Sequence, residues 1–364
     1  MGRKEDEVLE LIRRNPYMSQ QEMAERLKIS RPSLANMISS LIREGKVLGR
    51  AYMLPEKGTV ICIGGANVDR KFLLSEPLQM GTSNPVSATK SAGGVARNIA
   101  ENLGRLGHEV KLLSVVGRDN DWQTIEEGSA AFMSLELTET LRELPTGSYT
   151  AVLDTDGEMM FAMADMEICD LLTPEHLSRY ESVLLSAALI VIDLNCPAET
   201  VSFVQQLAES REIPLAVIAV SAPKMDRLGA TLRGITWFVC NMDEAESYIG
   251  EPIKTDEQWR HAVWEFVDLG ARNVAITAGE RGVMAGNIQS VQHFPALPIE
   301  EMTDVTGAGD AFSSALLHGY LNTFAFPDVV KAGLTNAIKT LESPLTVRTE
   351  LTAAGLKNEM EELQ

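Results

Sequence analysis

The sequence predicts an α/β protein, with a mostly parallel central sheet and a small β lid, behind a short and mainly helical module. Three observations predict it. After residue 58, short apolar runs recur between helical stretches, the alternation that builds a parallel sheet covered on both faces. That alternation is interrupted around residues 70–92 and 148–164, where extended segments gather instead. The first 57 residues follow the helical period and differ from the rest in charge.

Residues 5–14 place Val8, Leu9, Leu11 and Ile12 on one side of a helix. Ser19 before Gln20-Gln21-Glu22 reads as a cap and capping box for a second helix ending near Leu27. Ser30 caps a third, with Pro32 in its first turn, Leu34, Met37, Ile38, Leu41 and Ile42 as its apolar stripe, and Gly45 at its end. Lys46 to Met53 reads as a short hairpin. Three helices and a hairpin look like a winged helix-turn-helix module. The break falls at Leu54-Pro55-Glu56-Lys57-Gly58, giving a first domain of residues 1–56 and a second of residues 57–364.

In the second domain, Thr59–Ile63, Leu189–Asp193, Leu215–Val220, Ile235–Cys240 and Asn273–Thr277 read as buried strands. Ser148–Leu153 and Glu158–Ala164 flank Asp154-Thr155-Asp156-Gly157, a hairpin signal. Together, residues of about 70–92 and 148–165 make the expected lid.

Composition narrows the function. Hydrophobic residues make up 45% and charged residues 23% of the chain, the balance of a globular protein. No stretch reaches the roughly 18 apolar residues of a membrane span. The N-terminus lacks the apolar run of a secretory signal, so the expected location is the cytoplasm. Cys62, Cys169, Cys196 and Cys240 form no CxxC pair and read as reduced thiols. The net charge of −19 is uneven: residues 1–57 hold 11 Lys/Arg and 8 Asp/Glu, the other 307 hold 21 and 43. A body that acidic repels nucleic acid and anionic membranes, so any DNA contact belongs to the first domain.

Chemistry concentrates in a few segments. Asp304-Val305-Thr306-Gly307-Ala308-Gly309-Asp310 leads into an apolar helix, Ala311–Leu321. A glycine-rich helix N-terminus offers backbone N–H groups to an anion. A carboxylate there fits a base that takes a proton from an attacking hydroxyl while those N–H groups hold a phosphoryl group. Taken alone, the segment also fits a turn with an N-cap aspartate. Gly93-Gly94 opens the helix Val95–Leu106, with Asn98 one turn inside, able to turn its amide to a hydroxyl or simply to follow an ordinary glycine turn. Asn67 and Asp69, two apart after the first strand, project alike and suit adjacent sugar hydroxyls, or an Asx turn. Asn241 and Glu244, three apart at a helix start, suit a hydrated magnesium or a solvated first turn. Thr277, Gly279 and Gly282 form a glycine turn that suits a triphosphate or a plain loop. Neither GxxxxGK[ST] nor a strand-linked GxGxxG is present, which argues against a P-loop enzyme and a dinucleotide fold.

Residues 58 to about 345 resemble the ribokinase-like (PfkB) family of carbohydrate and nucleoside kinases. Gly93-Gly94 with Asn98, Asn241–Glu244 and Asp304–Asp310 occur in that family's order. The resemblance implies a three-layer sandwich and an ATP- and Mg2+-dependent kinase, often dimeric through the lid, sometimes activated by a monovalent cation such as K+. It implies Asp310 as catalytic base and Gly307, Ala308 and Gly309 as anion hole. It implies Glu244 as a magnesium ligand through water, and Asn241, Thr277, Gly279, Gly282 and Asn336 as the nucleotide side, the last beside the adenine. Asn67, Asp69, Gly93, Gly94 and Asn98 match the sugar side.

Within the family the sequence is most similar to bacterial pseudouridine kinases. Ser83-Asn84-Pro85, Gly94–Leu103, Gly157–Met160, Ala164-Asp165-Met166 and Val220-Ser221-Ala222 with Lys224 carry that likeness, and it adds Asp165 to the substrate side. A departure is Asp119–Ala131, unusually acidic where relatives carry a regular amphipathic helix. The implied reaction is 5′-phosphorylation of a ribosyl compound, with pseudouridine first. The alternatives are a kinase of ribose or another free sugar, and a ligand-responsive regulator that binds DNA through residues 1–56, with Arg31, Arg43, Lys46 and Arg50 at phosphates.

Overall fold

The computed structural model describes residues 3–14, 18, 20–47, 58–299 and 306–362. The chain divides into two compact units, Met1–Lys57 with Pro174–Ala187, and Gly58–Thr173 with Ala188–Gln364.

In the first unit, helices Arg3–Arg14, Gln20–Arg26 and Arg31–Arg43 enclose Val8, Met23, Leu34, Ile38 and Leu41. The third begins as its sequence predicts: the Ser30 hydroxyl accepts the Ser33 N–H at 3.3 Å. Gly45 follows it at φ 69°, a left-handed turn that glycine adopts without strain. The Ser19 cap, the expected hairpin from Leu48 onward with Arg50, and the linker residues Leu54–Lys57 lie outside the described residues.

The strands of the second unit are β1 (Val60–Ile63), β2 (Asn67–Leu74), β3 (Val86–Gly93), β4 (Val110–Leu113), β5 (Val115–Gly117), β6 (Glu139–Leu141), β7 (Gly147–Leu153), β8 (Met159–Asp165), β9 (Leu189–Asp193), β10 (Leu215–Ile218), β11 (Trp237–Asn241), β12 (Asn273–Thr277), β13 (Val283–Asn287) and β14 (Val291–Phe294). Eight form one sheet in the order β14-β13-β12-β11-β10-β9-β1-β4. It is parallel from β12 to β4, with β13 and β14 antiparallel at one edge.

Alternate side chains of these strands point to opposite faces, and both faces are buried. Val60, Cys62, Val191 and Val239 pack with Ile99, Leu103, Phe312 and Leu316 from helices Val95–Arg105 and Ala308–Leu321. On the other face, the ring of Phe238 lies 4.8 Å from that of Phe266 in helix Asp256–Asp268. The result is helix, sheet and helix in three layers. The four cysteines are all buried free thiols.

The lid is a second sheet, in the order β3-β2-β7-β8. Its hairpin turns where expected: Asp154 Oδ1 accepts the N–H groups of Asp156 and Glu158, and Gly157 takes φ 88°. The acidic segment after Asp119 is a regular helix, Asn120–Ser129, capped by the Asp119 carboxylate. Its Asp121 pairs with Arg70 of β2 and, at 2.8 Å, with Lys90 of β3. Asp121 therefore anchors the basic strands of the lid. Among the described residues, no helix is long and apolar enough to cross a membrane.

Candidate active site

The site residues gather at the carboxyl ends of the parallel strands, where an open α/β sheet leaves its ligand crevice. Asn67 and Asp69 open β2, both buried, and Asn67 Nδ2 donates to Asp69 Oδ1 at 2.7 Å. Gly93 stands opposite Asn67 in the antiparallel β2–β3 pair. A Cβ on Gly93 would fall 2.1 Å from Asp69 Oδ2, so glycine leaves the room that this carboxylate fills. Gly94 takes φ 102° and starts helix Val95–Arg105. A Cβ there would meet the Gly65 carbonyl oxygen at 2.4 Å. One turn into that helix, Asn98 donates from Nδ2 to Asp310 Oδ2 at 2.8 Å.

Helix Ala308–Leu321 begins three residues earlier than its apolar run suggests. Gly307 precedes it at φ 86°, against the Thr346 carbonyl oxygen, which an added Cβ would meet at 2.3 Å. Ala308, Gly309 and Asp310 form the first turn, where backbone N–H groups lack helical partners. A Cβ on Gly309 would meet nothing within 4 Å, so this turn faces open space. Lys71 of β2 donates to Thr306 Oγ1 at 2.9 Å and ties the lid to this loop. Asp304 and Val305 lie outside the described residues.

Burial is the largest influence on Asp310 and raises its carboxyl pKa to about 7. The hydrogen bond from Asn98 and the charge of Arg97 oppose that rise, and the nearby carboxylates Asp193 and Asp69 add to it.

Asp193 is the residue that sequence reasoning missed. It closes β9, has no exposed surface, and its Oδ2 accepts the N–H groups of Gly65 and Ala96, each at 2.9 Å. Oδ1 accepts the N–H of Asn195 at 2.9 Å. Burial pushes its carboxyl upward, and those backbone bonds pull against it. Asp193 thereby fastens the turn after β1 to the start of the Asn98 helix. The available signal was an acid ending an otherwise apolar strand, Leu-Ile-Val-Ile-Asp.

Asp165 ends β8, exposed, opposite Ser148 of β7. Asn84, part of the Ser83-Asn84-Pro85 word, is spent on its own loop, bonding the Gln79 N–H and the Gln79 and Thr82 carbonyls. Lys224 donates to the Asn195 side chain.

Asn241 and Thr277 are neighbours, paired across β11 and β12. Asn241 caps helix Met242–Ile249 in a reciprocal box: its Oδ1 accepts the Glu244 N–H at 2.9 Å, and Glu244 Oε2 accepts the Asn241 N–H at 2.7 Å. Burial raises the Glu244 carboxyl to about 7. Gly279 opens the next turn with free space at its Cβ position. Gly282, at φ 88°, closes that turn 2.1 Å (as a Cβ) from the Phe294 carbonyl oxygen. Among the described residues, no cluster of three or more acidic, His or Cys groups could cage a metal.

Asn336, expected on the nucleotide side, lies inside the helix layer. It has no exposed surface; its Nδ2 donates to Ala311 O and Asn102 Oδ1, and its Oδ1 accepts from Arg348. With both amide hydrogens committed inside the helix layer, it has none to offer an adenine.

The pfkB family of carbohydrate kinases matches residues 57–352, and a winged helix-turn-helix DNA-binding family matches residues 6–47. An uncharacterized sugar kinase of Escherichia coli, YeiI, is 30% identical over 350 residues, 94% of this chain and 96% of that protein. The pseudouridine kinase of the same organism is 30% identical over 277 residues, 76% of this chain and 88% of the other. A solved carbohydrate kinase from Agrobacterium tumefaciens superposes with a TM-score of 0.74 at 28% identity, covering 84% of this chain and 98% of that one. With strand order, glycine turns and carboxylates placed as described, the chain belongs to the pfkB family of carbohydrate kinases.

Proposed function

We propose that this kinase transfers the γ-phosphoryl group of ATP to the primary hydroxyl of a ribosyl compound, with pseudouridine as its preferred acceptor. One observation carries the reading: the Asp310 carboxylate sits at a glycine-lined helix start that faces open space, hydrogen-bonded to Asn98. Asn67 and Asp69 would grip the sugar hydroxyls from the lid root, with Gly93 and Gly94 admitting the ring closely and Asp165 at the lid edge. Asp310 would accept the proton of the attacking hydroxyl. The N–H groups of the Gly307-Ala308-Gly309 turn would hold the transferring phosphoryl group.

On the nucleotide side, Asn241, Thr277, Gly279 and Gly282 would line the triphosphate. A magnesium ion would neutralise phosphate charge. Glu244 would hold it through water, with the capping box committing one carboxylate oxygen and leaving the other to bond that water. K+ activation and pairing of two copies through the lid belong to the same proposal. Strand β8 supports the pairing: it is exposed along its whole length and carries Met159, Met160, Phe161 and Met163.

Parallel assays of ADP release with pseudouridine, uridine, ribose and fructose test the acceptor. Pseudouridine is expected to give the highest kcat/KM; turnover of free sugar alone overturns the nucleoside reading.

A second reading coexists with the first. The Ser30-capped third helix and the family match at residues 6–47 support DNA binding, and with it regulation by the bound sugar or nucleoside. The full-length chain is then expected to bind a fragment of its own upstream DNA, more weakly as salt rises. Equal binding to unrelated DNA, with and without acceptor, removes the regulatory role.

A further inference from the structure

Behind Asp310 and Asn98 runs a chain of polar side chains, buried from Arg348 inward, that the proposed reaction does not itself use. It starts at Glu359, on the C-terminal helix Ala353–Glu362. Arg348 donates to it through both terminal nitrogens, at 2.7 and 2.6 Å. Arg348 Nε donates to Asn336 Oδ1 at 2.9 Å. Asn336 Nδ2 donates to Ala311 O at 2.9 Å, directly after Asp310 in sequence, and to Asn102 Oδ1 at 3.2 Å. Asn102 Nδ2 donates to Asn98 O at 2.9 Å. Asn98 donates to Asp310. Arg348 is 1% exposed, and Asn102 and Asn336 are completely buried.

The chemistry of the two ends removes any ambiguity from the amides between them. A guanidinium only donates, so Asn336 must turn Oδ1 to Arg348 and Nδ2 inward. A backbone carbonyl only accepts, so Asn102 must turn Nδ2 to Asn98 O and Oδ1 to Asn336. Arg97 sets the last amide in the same way. Its Nη1 donates to Asn98 Oδ1 at 3.1 Å, which leaves Asn98 Nδ2 for Asp310. Glu101, paired with Arg97, holds that guanidinium in place. Every donor along the path points from Arg348 toward the helix turn that bears the carboxylate. Such networks are stiff when fully satisfied, and a gap in one is costly.

We propose that Arg348 and Glu359 are positioning residues, which act through Asn336 and Asn102 to hold Asn98 and the helix start of Asp310 in the reacting arrangement. The C-terminal helix is then part of the catalytic framework although it touches no reacting atom. This rests on the assignment of Asp310 as base.

The test uses the full chain and Glu359→Gln, which keeps the shape and one acceptor for Arg348, with Arg348→Met as a second variant lacking the buried charge. Each is assayed with ATP and whichever of pseudouridine, uridine, ribose or fructose the unmodified chain phosphorylates. The expected result is a fall of about tenfold in kcat, with KM for both substrates within about twofold. The acid limb of kcat/KM is expected to move up by roughly half a pH unit, because a less firmly aimed Asn98 supports the ionised carboxylate less. The charged groups around Asp310 that remain unchanged are Asp193 from β9, Asp69 from β2 and Arg97 from the Asn98 helix. Lowered thermal stability with unchanged kcat and an unchanged acid limb would show a merely structural network and overturn the proposal.

A second measurement needs no turnover. The native Asp310 pKa of about 7 lies above its unfolded value of about 4. The folded state therefore holds the extra proton between these values, and the contribution of Asp310 to stability falls as pH rises through that window. Asp310→Asn is thus expected to gain Tm relative to the unmodified chain from pH 4 to pH 8. In the Glu359→Gln background that gain should be completed at higher pH. The same pH in both backgrounds contradicts the inference. If no acceptor is phosphorylated by the unmodified chain, the functional reading fails, and this comparison still decides the network.

Discussion

Asp310→Asn is expected to lower kcat by roughly 10²–10⁴-fold, the range lost when a positioned general base is removed, while ATP binding survives. The asparagine is nearly isosteric and leaves the helix start intact, so the loss would be of proton acceptance and not of fold. Rapid-quench turnover alongside calorimetric titration of ATP separates the two. Near-normal turnover refutes the assignment of the base. The pH profile of the unmodified chain belongs to the same expectation. Burial lifts the Asp310 carboxyl to about 7, and only its ionised form accepts a proton. In the free enzyme kcat/KM is therefore expected to fall about tenfold per unit below pH 7 and to level off above it.

Gly307→Ala is expected to have the second largest effect, by a different route. At φ 86° an L-residue is strained, by roughly 1–2 kcal/mol. The new Cβ would also meet the backbone oxygen of Thr346 at 2.3 Å, which cannot swing aside as a side chain would. The turn must open, and the N–H groups proposed to hold the phosphoryl group move with it. A kcat loss of at least about tenfold and a Tm lower by several degrees are expected from an oxyanion-type site displaced in this way. Gly309→Ala serves as the control for stability, since its Cβ position is open. If Gly307→Ala matches the unmodified chain in both Tm and kcat, the turn does not act as the anion hole.

Much of the fold could be read from residue pattern. Leu189–Asp193 and Asn273–Thr277 are strands with the bounds that their apolar runs indicated, and Asp154–Gly157 is the lid turn. Such runs carry their own period and their own turn chemistry, and neighbours in sequence decide both. Val86–Gly93 fell within the expected lid but was given no bounds of its own, and the edge strands β13 and β14 escaped notice. The first is exposed along most of its length and the last pair is rich in small and polar residues, so no apolar alternation marks them.

For the candidate site, the sequence by itself determined which groups stand at helix starts and strand ends: Gly93, Gly94 and Asn98, Gly307 to Asp310, and Asn241 with Glu244. Local spacing suffices for that, because a cap or a glycine turn involves residues only a few positions apart. Only the tertiary structure decided which of them meet. Asn98 and Asp310 are 212 positions apart and share a hydrogen bond. Asp193 fastens two turns that precede it by about a hundred residues or more. Asn336, which its sequence position sent to the nucleotide, is held inside the helix layer by Asn102, Ala311 and Arg348. Helix packing sets such long-range partners, and the energy of burying an amide or a carboxylate is met only once those partners arrive.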